Sequence, residues 1–546
     1  MILDYLPSRD LQAGVGGELI QRLEVILPNL SPDDFDPTMI YQKDLLIKIL
    51  NSFSPSQRLR DAEFRHTLLN SVPKDVLNEI SQATGVGSVQ DNFNVLVQKL
   101  VRKGWSDLDY CKSFIEATGL SKAFMPLKES PLQYEELCQR SLWPYKRLKD
   151  YQYDVYRKAH EKLNIPRSRF VIQMPTGSGK TRTAMEIIAE FLNNSPIDAV
   201  VIWLAHSEEL CEQCIECFSD VWQHIGERDI KLFRCWGNTP GFPSQGEGTL
   251  FIVGGFQKLY NILTNNPENI MALNSRTRLL VVDEAHKVLA PTYQAITMSL
   301  IGDDTKVVGL TATPGRSAYN ADENVQLSEF FFNDMVGLKP PTNETVFSYL
   351  RNKGVLSRVI RQPLQISTTH ELNRRQIQYL EEKFDFPPGF LKNLAKDDIR
   401  NLEIIKCLQE ECAAGSRILF FGCSVEHSKF ICALLVFFYI NAAHIDGSTP
   451  RGERLHVISA FKRGEIQVLC NYGVLSTGFD APKTDVVFIA RPTSSIVLYS
   501  QMVGRGLRGP AIGGTAHCKV IDVIDNITNL PEANRIYSYF DEYWSS

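Results

Sequence analysis

The sequence predicts an α/β protein in which two parallel-sheet domains follow one another behind an α-helical N-terminal domain. From about Trp143, short apolar strands alternate with helices and glycine-bearing turns, which predicts βαβ units and a parallel sheet. This pattern breaks off and resumes at Arg417–Phe421, which predicts a second sheet of the same kind. The earlier residues carry apolar side chains at helical spacing, such as Phe93, Leu96 and Leu100 at i, i+3 and i+7.

These changes of pattern divide the chain of 546 residues, which is too long for one hydrophobic core. We expect a helical N-terminal domain at 1–135, a first α/β domain at 136–330, a helical linker or insert at 331–400, and a second α/β domain with a short tail at 401–546. The role of residues 1–135 stays open between substrate recognition, partner docking and a helical extension that stabilises the first α/β domain.

Composition sets limits on the class of protein. Hydrophobic residues make up 44% and charged residues 22%, as in soluble globular proteins. The formal net charge of -5 means that any basic track for nucleic acid is local. No stretch reaches the ~18 apolar residues of a membrane span, the N-terminus has no basic start of a signal peptide, and 12 scattered cysteines fit reduced thiols. We therefore expect a cytoplasmic protein with no membrane partner.

A phosphate-binding loop follows the first predicted strand, Phe170–Met174, and opens a helix. Its glycines let consecutive N–H groups point at phosphate oxygens at the helix N-terminus. Lys180 is expected to reach the β- and γ-phosphates of ATP, and Thr181 to bind Mg²⁺. Met174 stands where the general pattern has its first glycine. The predicted nucleotide-binding residues here are Thr176, Gly177, Ser178, Gly179, Lys180 and Thr181.

Two acids end another apolar strand, Leu279–Val282. We expect Asp283 to hold Mg²⁺ through water and Glu284 to polarise the attacking water. His286 either couples this site to the next motif or packs. In that motif, Thr311 and Thr313 at a strand end are expected to relay the nucleotide state to the acidic loop.

The second α/β block carries three polar motifs, two of which follow strands. Gln501, Arg505 and Arg508 form one, and two arginines at i and i+3 of a helix share a face from which they can neutralise the γ-phosphate. Val474–Pro482 supplies a second, in which Thr477 is expected to contact nucleic acid and Gly478 and Asp480 the nucleotide. Asp446–Thr449, followed by Arg454, suits a backbone phosphate through Thr449. Ordinary polar turns remain the alternative for the last two.

These motifs in this order resemble superfamily 2 helicases of the DEAH type, in the RadD-like, XPB-like and type I and III restriction-motor group. The resemblance covers about 143–527 and implies two RecA-like domains with ATP and Mg²⁺ between them. It also implies that Gln152 reads adenine. Further positions of the resemblance contact the nucleic-acid strand: His206 and Glu209 in one motif, and Gly255 and Gln257 in the next.

The function that the resemblance implies is an ATP-dependent helicase or translocase, acting on single-stranded or forked DNA in repair, restriction or antiviral defence. Two alternatives stay open: a nucleic-acid-sensing ATPase switch that does not unwind, and an RNA helicase. A protein partner is expected to use the N-terminal domain. Cys211, Cys214 and Cys217 recur every three residues, and core packing is favoured over a metal site because a helix turns such a spacing around its axis.

Overall fold

A computed structural model of the chain describes residues 2–30, 36–53, 55–88, 90–120, 124–126, 135–137, 145–242, 248–312, 321–341, 343–383, 385–475 and 483–530. A group of short helices precedes two separate sheets, one of eight strands and one of six. The predicted fold class, two α/β domains in tandem behind a helical N-terminal domain, is confirmed.

The described part of the N-terminal domain holds eight short α-helices and two 3-10 turns. The α-helices are α1 Ser8–Val15, α2 Gly17–Leu30, α3 Lys43–Asn51, α4 Pro55–Arg58, α5 Ala62–Asn70, α6 Lys74–Thr84, α7 Phe93–Arg102 and α8 Leu108–Thr118. Polar side chains fix where helices begin: Asn92 caps α7 by accepting from the N–H of Val95, and Asp107 caps α8. The predicted apolar face of α7 is confirmed, since Leu96 and Leu100 are fully buried.

The first α/β domain holds the eight-stranded sheet in the order β1-β4-β5-β3-β6-β7-β2-β8. Its strands are β1 Glu135–Leu137, β2 Arg169–Gln173, β3 Val200–Ala205, β4 Lys231–Cys235, β5 Leu250–Gly255, β6 Thr277–Asp283, β7 Lys306–Thr311 and β8 Met335–Gly337. All pairs are parallel except β1 with β4. Its helices are α9 Asp150–Leu163, α10 Lys180–Asn193, α11 Glu208–Ile225, α12 Phe256–Asn265, α13 Pro267–Asn274, α14 Pro291–Leu300 and α15 Ala321–Phe330. The carboxyl ends of the central strands therefore meet at one edge, where the motifs lie.

The second α/β domain holds a fully parallel sheet in the order β11-β12-β10-β13-β14-β9. Its strands are β9 Arg358–Glu371, β10 Ile418–Phe421, β11 Ala442–Ile445, β12 Val468–Asn471, β13 Val486–Ile489 and β14 His517–Thr528. Helix α16 Val346–Asn352 leads into it, and the other helices are α17 Arg374–Lys383, α18 Pro388–Leu394, α19 Asp398–Ala413, α20 Val425–Phe437, α21 Arg451–Arg463 and α22 Ile496–Val503.

The segment at 331–400 differs from the helical pattern expected of it. Besides α16, α17 and α18, it contains β8, which closes one edge of the first sheet, and the fourteen residues of β9. The helical prediction is therefore wrong for β9. This strand pairs only with β14, and most of its side chains are exposed or half-buried. An edge strand of that kind, which contains Pro363, lacks the apolar pattern by which buried strands are found in a sequence.

The N-terminal helices pack on the second α/β domain, whereas the sequence left open a role in stabilising the first. Helices α2 and α3 cover α20, whose other side lies on β11 and β12. Residues 430–436 of α20 are all buried, which explains why this helix is apolar on every side. Arg22 joins the two parts: its guanidinium lies 3.9 Å from the centre of the Phe430 ring, and it donates a 2.8 Å hydrogen bond to the carbonyl of Ala395. One apolar core therefore runs through both parts.

This shared core predicts that Phe430→Ala strongly destabilises the folded protein. Phe430 is fully buried under Arg22, so its removal should lower the free energy of unfolding by about 3–5 kcal/mol, measured by urea denaturation. Ile399→Ala is the matched control, because Ile399 is half exposed on α19. A loss below about 1 kcal/mol at Phe430 would show that the N-terminal helices do not cover this helix.

Candidate active site

The phosphate loop, defined here as residues 174–181, joins β2 to α10. Gly177 and Gly179 have φ of +83° and +88°, in the left-handed region that favours glycine. Met174, which replaces the first glycine of the general pattern, is fully buried, and its N–H donates to the carbonyl of Thr311 at 3.1 Å. Its backbone extends the pairing of β2 with β7, so the side chain at this position packs in the core. The phosphate loop bends only later, at the two glycines.

Gln152 lies directly beneath this loop. Its Nε2 donates to the carbonyl of Ser178 at 3.2 Å, and the hydroxyl of Tyr151 donates to the same carbonyl at 2.9 Å. A β-carbon on Gly179 would lie 2.2 Å from Gln152 Nε2, and this close approach adds to the left-handed backbone in favouring glycine there. Besides the adenine contact that the resemblance implies for it, Gln152 thus supports the shape of the phosphate loop.

Lys180 lies between two carboxylates at the end of β6. Its Nζ is 3.9 Å from Asp283 Oδ1 and 3.9 Å from Glu284 Oε1. Glu284 adopts φ +50°, rare for a residue with a side chain, in the turn that follows the strand. The residues that the sequence assigned to phosphate, metal and water are therefore brought together.

The two adjacent acids differ in their electrostatic surroundings. Burial raises the pKa of Asp283 to about 6, although Lys180 opposes the shift. Burial also acts to raise the pKa of Glu284, but Lys180 and His286 together with further cations hold it at about 2. Glu284 is therefore ionised at neutral pH, as a group that orients a water molecule must be.

His286 connects this acid to the end of the next strand. The ring is buried, and its Nδ1 lies 3.4 Å from Glu284 Oε2 and 3.5 Å from Thr311 Oγ1. Glu284, His286 and Thr311 thus form a continuous path from β6 to β7, in the place that the sequence assigned to coupling. Thr313 lies outside the described residues.

The second domain approaches the phosphate loop at the residues 504–508, called the arginine turn below. A β-carbon on Gly504 would lie 2.4 Å from Thr176 Cγ2. Helix α22 ends at Val503, so Arg505 and Arg508 lie beyond it and the expectation that they share a helix face is wrong. The chain after the helix is closely packed: a β-carbon on Gly506 would lie 2.2 Å from the sulfur of Cys518. Both arginines are half-buried, and Gln501 is buried on the last turn of α22.

The linker between the domains completes this contact. Leu356, just before β9, is buried and forms an isolated antiparallel bridge with Arg508, and a β-carbon on Gly177 would lie 3.4 Å from its Cδ2. The hydroxyl of Ser357 donates to the carbonyl of Arg508 at 2.7 Å. The arginine turn is therefore fixed against both the linker and the phosphate loop.

Comparison with known proteins agrees with this arrangement. The family described as "Type III restriction enzyme, res subunit" matches residues 145–316, and the "Helicase conserved C-terminal domain" matches residues 401–509. The chain belongs to the superfamily 2 helicases of the restriction-motor type. The predicted family is thus confirmed, and with it, at the level of the family, the expectation of an enzyme of the ATPase and helicase class.

Three relatives illustrate the range of this family. The helicase is 26% identical to a 51.5 kDa protein of a Lactococcus phage, over 68% of this chain and 70% of that protein. It is 25% identical to the candidate ATP-dependent helicase IRC3 of Saccharomyces cerevisiae, over 69% of this chain and 51% of the yeast protein. The endonuclease subunit of the type I restriction enzyme EcoKI of Escherichia coli is 23% identical, over 70% of this chain and 35% of its own length. The helicase therefore spans only part of the last two.

The residues assigned to the nucleic-acid strand lie in different environments. Gln257 is exposed on the first turn of α12, next to Gly255 at the end of β5. His206 follows β3, and burial together with nearby Lys287 lowers its pKa to about 4, so it carries no charge for a phosphate. Thr449 is buried, and its hydroxyl accepts from the N–H of Asp446 at 3.0 Å. Its exposed neighbours therefore form the surface of that turn. Thr477, Gly478 and Asp480 lie outside the described residues.

An ion pair joins two segments, one in each α/β domain, that the sequence predicts to contact nucleic acid. Arg454 on α21 lies 2.7 Å from the carboxylate of Glu209 on α11. Both belong to segments that the sequence assigned to nucleic acid, and no sequence pattern predicts that they pair. The ion pair therefore joins two segments, one from each α/β domain, for which a nucleic-acid contact is expected.

The cysteines of α11 pack in the first domain. Cys211 and Cys214 are buried and Cys217 is half-buried. Burial raises the pKa of all three thiols, that of Cys217 to about 12, and protonated thiols are poor metal ligands. Within the described part of the chain, no group of three or more His, Cys, Asp or Glu side chains has the geometry to hold a metal ion. No helix of that part is long and apolar enough to cross a membrane.

The approach of Gly504 to Thr176 predicts the effect of Gly504→Ala. The backbone at Gly504 is right-handed (φ -56°), so the effect comes from the new methyl group, which would lie 2.4 Å from Thr176 Cγ2 and 2.8 Å from the carbonyl oxygen of Ser500. We expect kcat for ATP to fall at least ~10-fold, because overpacking of about 1–3 kcal/mol would displace the arginine turn.

Thr176→Ser provides the matched control, because it removes only the methyl carbon that the new side chain would strike. The double variant should regain part of the lost rate, as measured in a double-mutant cycle of ATPase activity. Wild-type turnover in Gly504→Ala would mean that the domains are not this close during catalysis.

Proposed function

We propose that the helicase is an ATP-driven motor that moves along DNA, with strand separation or translocation as its output in repair, restriction or antiviral defence. The observation that carries the proposal is the contact of the arginine turn with the phosphate loop. Nucleotide bound on Lys180 of one domain would face Arg505 and Arg508 of the other. Hydrolysis would then change the contacts that both domains make with the nucleotide, and a motor requires such a change to move its domains.

On the ATP side, each proposed role rests on a position described above. Lys180 would hold the β- and γ-phosphates, and the ionised Glu284 would orient and deprotonate the attacking water. Arg505 and Arg508, with Gln501 beside them, would neutralise the charge that develops on the γ-phosphate. The path through His286 to Thr311 would report the state of Glu284 to the neighbouring strand.

The donor set also fits Mg²⁺. A hydroxyl at Thr181 and a carboxylate at Asp283 are the hard oxygen ligands that Mg²⁺ prefers, with substrate phosphates completing the shell. Both carboxylates lie 3.9 Å from Lys180 Nζ, and a divalent cation beside Asp283 would help to offset the charge of the two acids. When bound, Mg²⁺ would supply charge neutralisation for the phosphates, while Asp283 and Thr181 fix its position.

On the nucleic-acid side, the exposed groups favour the sugar–phosphate backbone over bases. Gln257, Ser448 and the edge of the Glu209–Arg454 pair are polar, whereas base stacking would require exposed aromatic side chains. Binding should therefore be independent of sequence and weaken as salt rises. DNA is preferred over RNA because the family description and the type I relative are those of restriction enzymes, which act on DNA.

This proposal predicts that nucleic acid stimulates the ATPase. With saturating Mg²⁺ and ATP, we expect single-stranded or forked DNA to raise kcat at least ~10-fold, and RNA to raise it less. The rate is measured by phosphate release at two salt concentrations, and strand displacement is followed on forks of both polarities. Lys180→Ala should show no stimulated turnover, which controls for contaminating ATPases.

Each other outcome has a defined meaning. Equal or greater stimulation by RNA would favour the RNA helicase. Stimulation by DNA without strand displacement, or movement that leaves the duplex intact, would favour a translocase or a nucleic-acid-sensing switch. A rate that no nucleic acid changes would contradict the motor itself.

A further inference from the structure

A chain of three buried polar side chains runs through the second α/β domain. The hydroxyl of Ser428 on α20 lies 2.8 Å from His444 Nδ1, and His444 Nε2 lies 2.9 Å from Asp446 Oδ2. Burial lowers the pKa of His444, although Asp446 opposes this, so the ring is neutral at physiological pH. The Ser428 hydroxyl then donates to Nδ1, and the Nε2 proton is donated to the carboxylate.

The order serine, histidine, aspartate resembles the catalytic set of a hydrolase, but the surroundings argue for a different use. All three side chains are buried, and Ser428 is 0% exposed, so no substrate can reach its hydroxyl. A nucleophile needs an open approach to the reacting carbon. The chain of hydrogen bonds therefore serves to hold Asp446 in place.

Asp446 in turn fixes the turn at 446–449. Its Oδ1 accepts from the N–H of Ser448 at 2.7 Å and from the hydroxyl of Ser448 at 2.6 Å. Its own N–H donates to the hydroxyl of Thr449, and the N–H of Thr449 donates back to its carbonyl. Gly447 and Ser448 remain exposed in front of α21, whose Arg454 pairs with Glu209 of the first domain. The buried carboxylate thus sets the shape of a surface on the proposed nucleic-acid track.

The N-terminal domain contacts His444, the middle one of the three hydrogen-bonded side chains. The N–H of His444 donates to the carbonyl of Ser52 at 3.1 Å, and Phe53 forms a parallel bridge with His444. The Phe53 ring meets the imidazole edge to face, with ring centres 6.3 Å apart and planes at 89°. Because β11 is the edge strand of its sheet, residues 52–53 add one isolated bridge to that edge. The residue that orients Asp446 is therefore held from one side by the N-terminal domain.

We propose that the N-terminal domain sets the affinity of the motor for nucleic acid by positioning the turn at 446–449, with Phe53 and His444 as positioning residues. This inference rests on the proposed function, since it names a determinant of the same track. Residues 1–120 would thereby contribute to nucleic-acid binding. ATP hydrolysis would depend on the separate phosphate loop.

Phe53→Ala tests the inference in the full-length protein, with fluorescent oligothymidylate as the probe. We expect the oligonucleotide concentration for half-maximal ATPase, and the Kd from fluorescence anisotropy, to rise about three- to tenfold. The kcat at saturating oligonucleotide and the KM for ATP should stay as in the wild type. Phe53→Leu, which keeps an apolar side chain but loses the ring edge, should give a smaller rise and serves if the alanine variant folds poorly.

Arg22→Met is the matched control, because Arg22 lies in the same interface but contacts Phe430 and Ala395 instead of His444. It should lower the melting temperature without changing the Kd for the oligonucleotide. An unchanged Kd in Phe53→Ala, or an equal rise in Arg22→Met, would overturn the inference while leaving the motor intact. A wild-type protein that neither binds the oligonucleotide nor is stimulated by it would end both proposals.

Discussion

The approach of the arginine turn to the phosphate loop is the contact on which the rest of the cleft depends. Gly504 has room only for hydrogen against Thr176, and Leu356 of the linker fills the space beside Gly177. Arg505 and Arg508 of one domain thereby come to the phosphate loop of the other, in which Lys180 lies beside Asp283 and Glu284. Any motion that separates the domains would remove these arginines from the nucleotide, so chemistry and domain position are linked.

The same logic extends to the N-terminal domain. Its apolar side chains share one core with α20 and β11, so the N-terminal helices and the second α/β domain should move together. The ion pair between Arg454 and Glu209 then lies between this combined unit and the first domain. Partly exposed ion pairs contribute only about 0–1 kcal/mol, so the pair can break as the domains move and free the guanidinium of Arg454 for a phosphate.

Sequence reasoning found the parts of the structure that carry strong local patterns. The phosphate loop needs glycine at two left-handed positions, and buried parallel strands need continuous apolar runs, so both are visible in the chain. It missed β9, because an exposed edge strand has no apolar face to detect. It misplaced Arg505 and Arg508 on a helix, although Gly504 and Gly506 stand in the sequence at the point where α22 ends.

The docking of the N-terminal domain shows a different limit. The apolar residues 430–436 of α20 indicate that another segment covers the outer face of this helix, but nothing in the sequence identifies that segment. In the same way, the sequence indicated nucleic-acid contacts for the segments of Glu209 and Arg454, but their ion pair exists only once these two distant segments are folded. Contacts between distant segments are where local patterns stop being informative.

The central claim is that ATP is hydrolysed between the two α/β domains, and single-turnover hydrolysis by Arg505→Ala and Arg508→Ala tests it most directly. With DNA present, each variant should bind ATP with an affinity close to that of the wild type, because Lys180 and the phosphate loop are intact. The rate of cleavage should fall by about two to three orders of magnitude. Cleavage at the wild-type rate in both variants would contradict a shared site and confine the chemistry to the first domain.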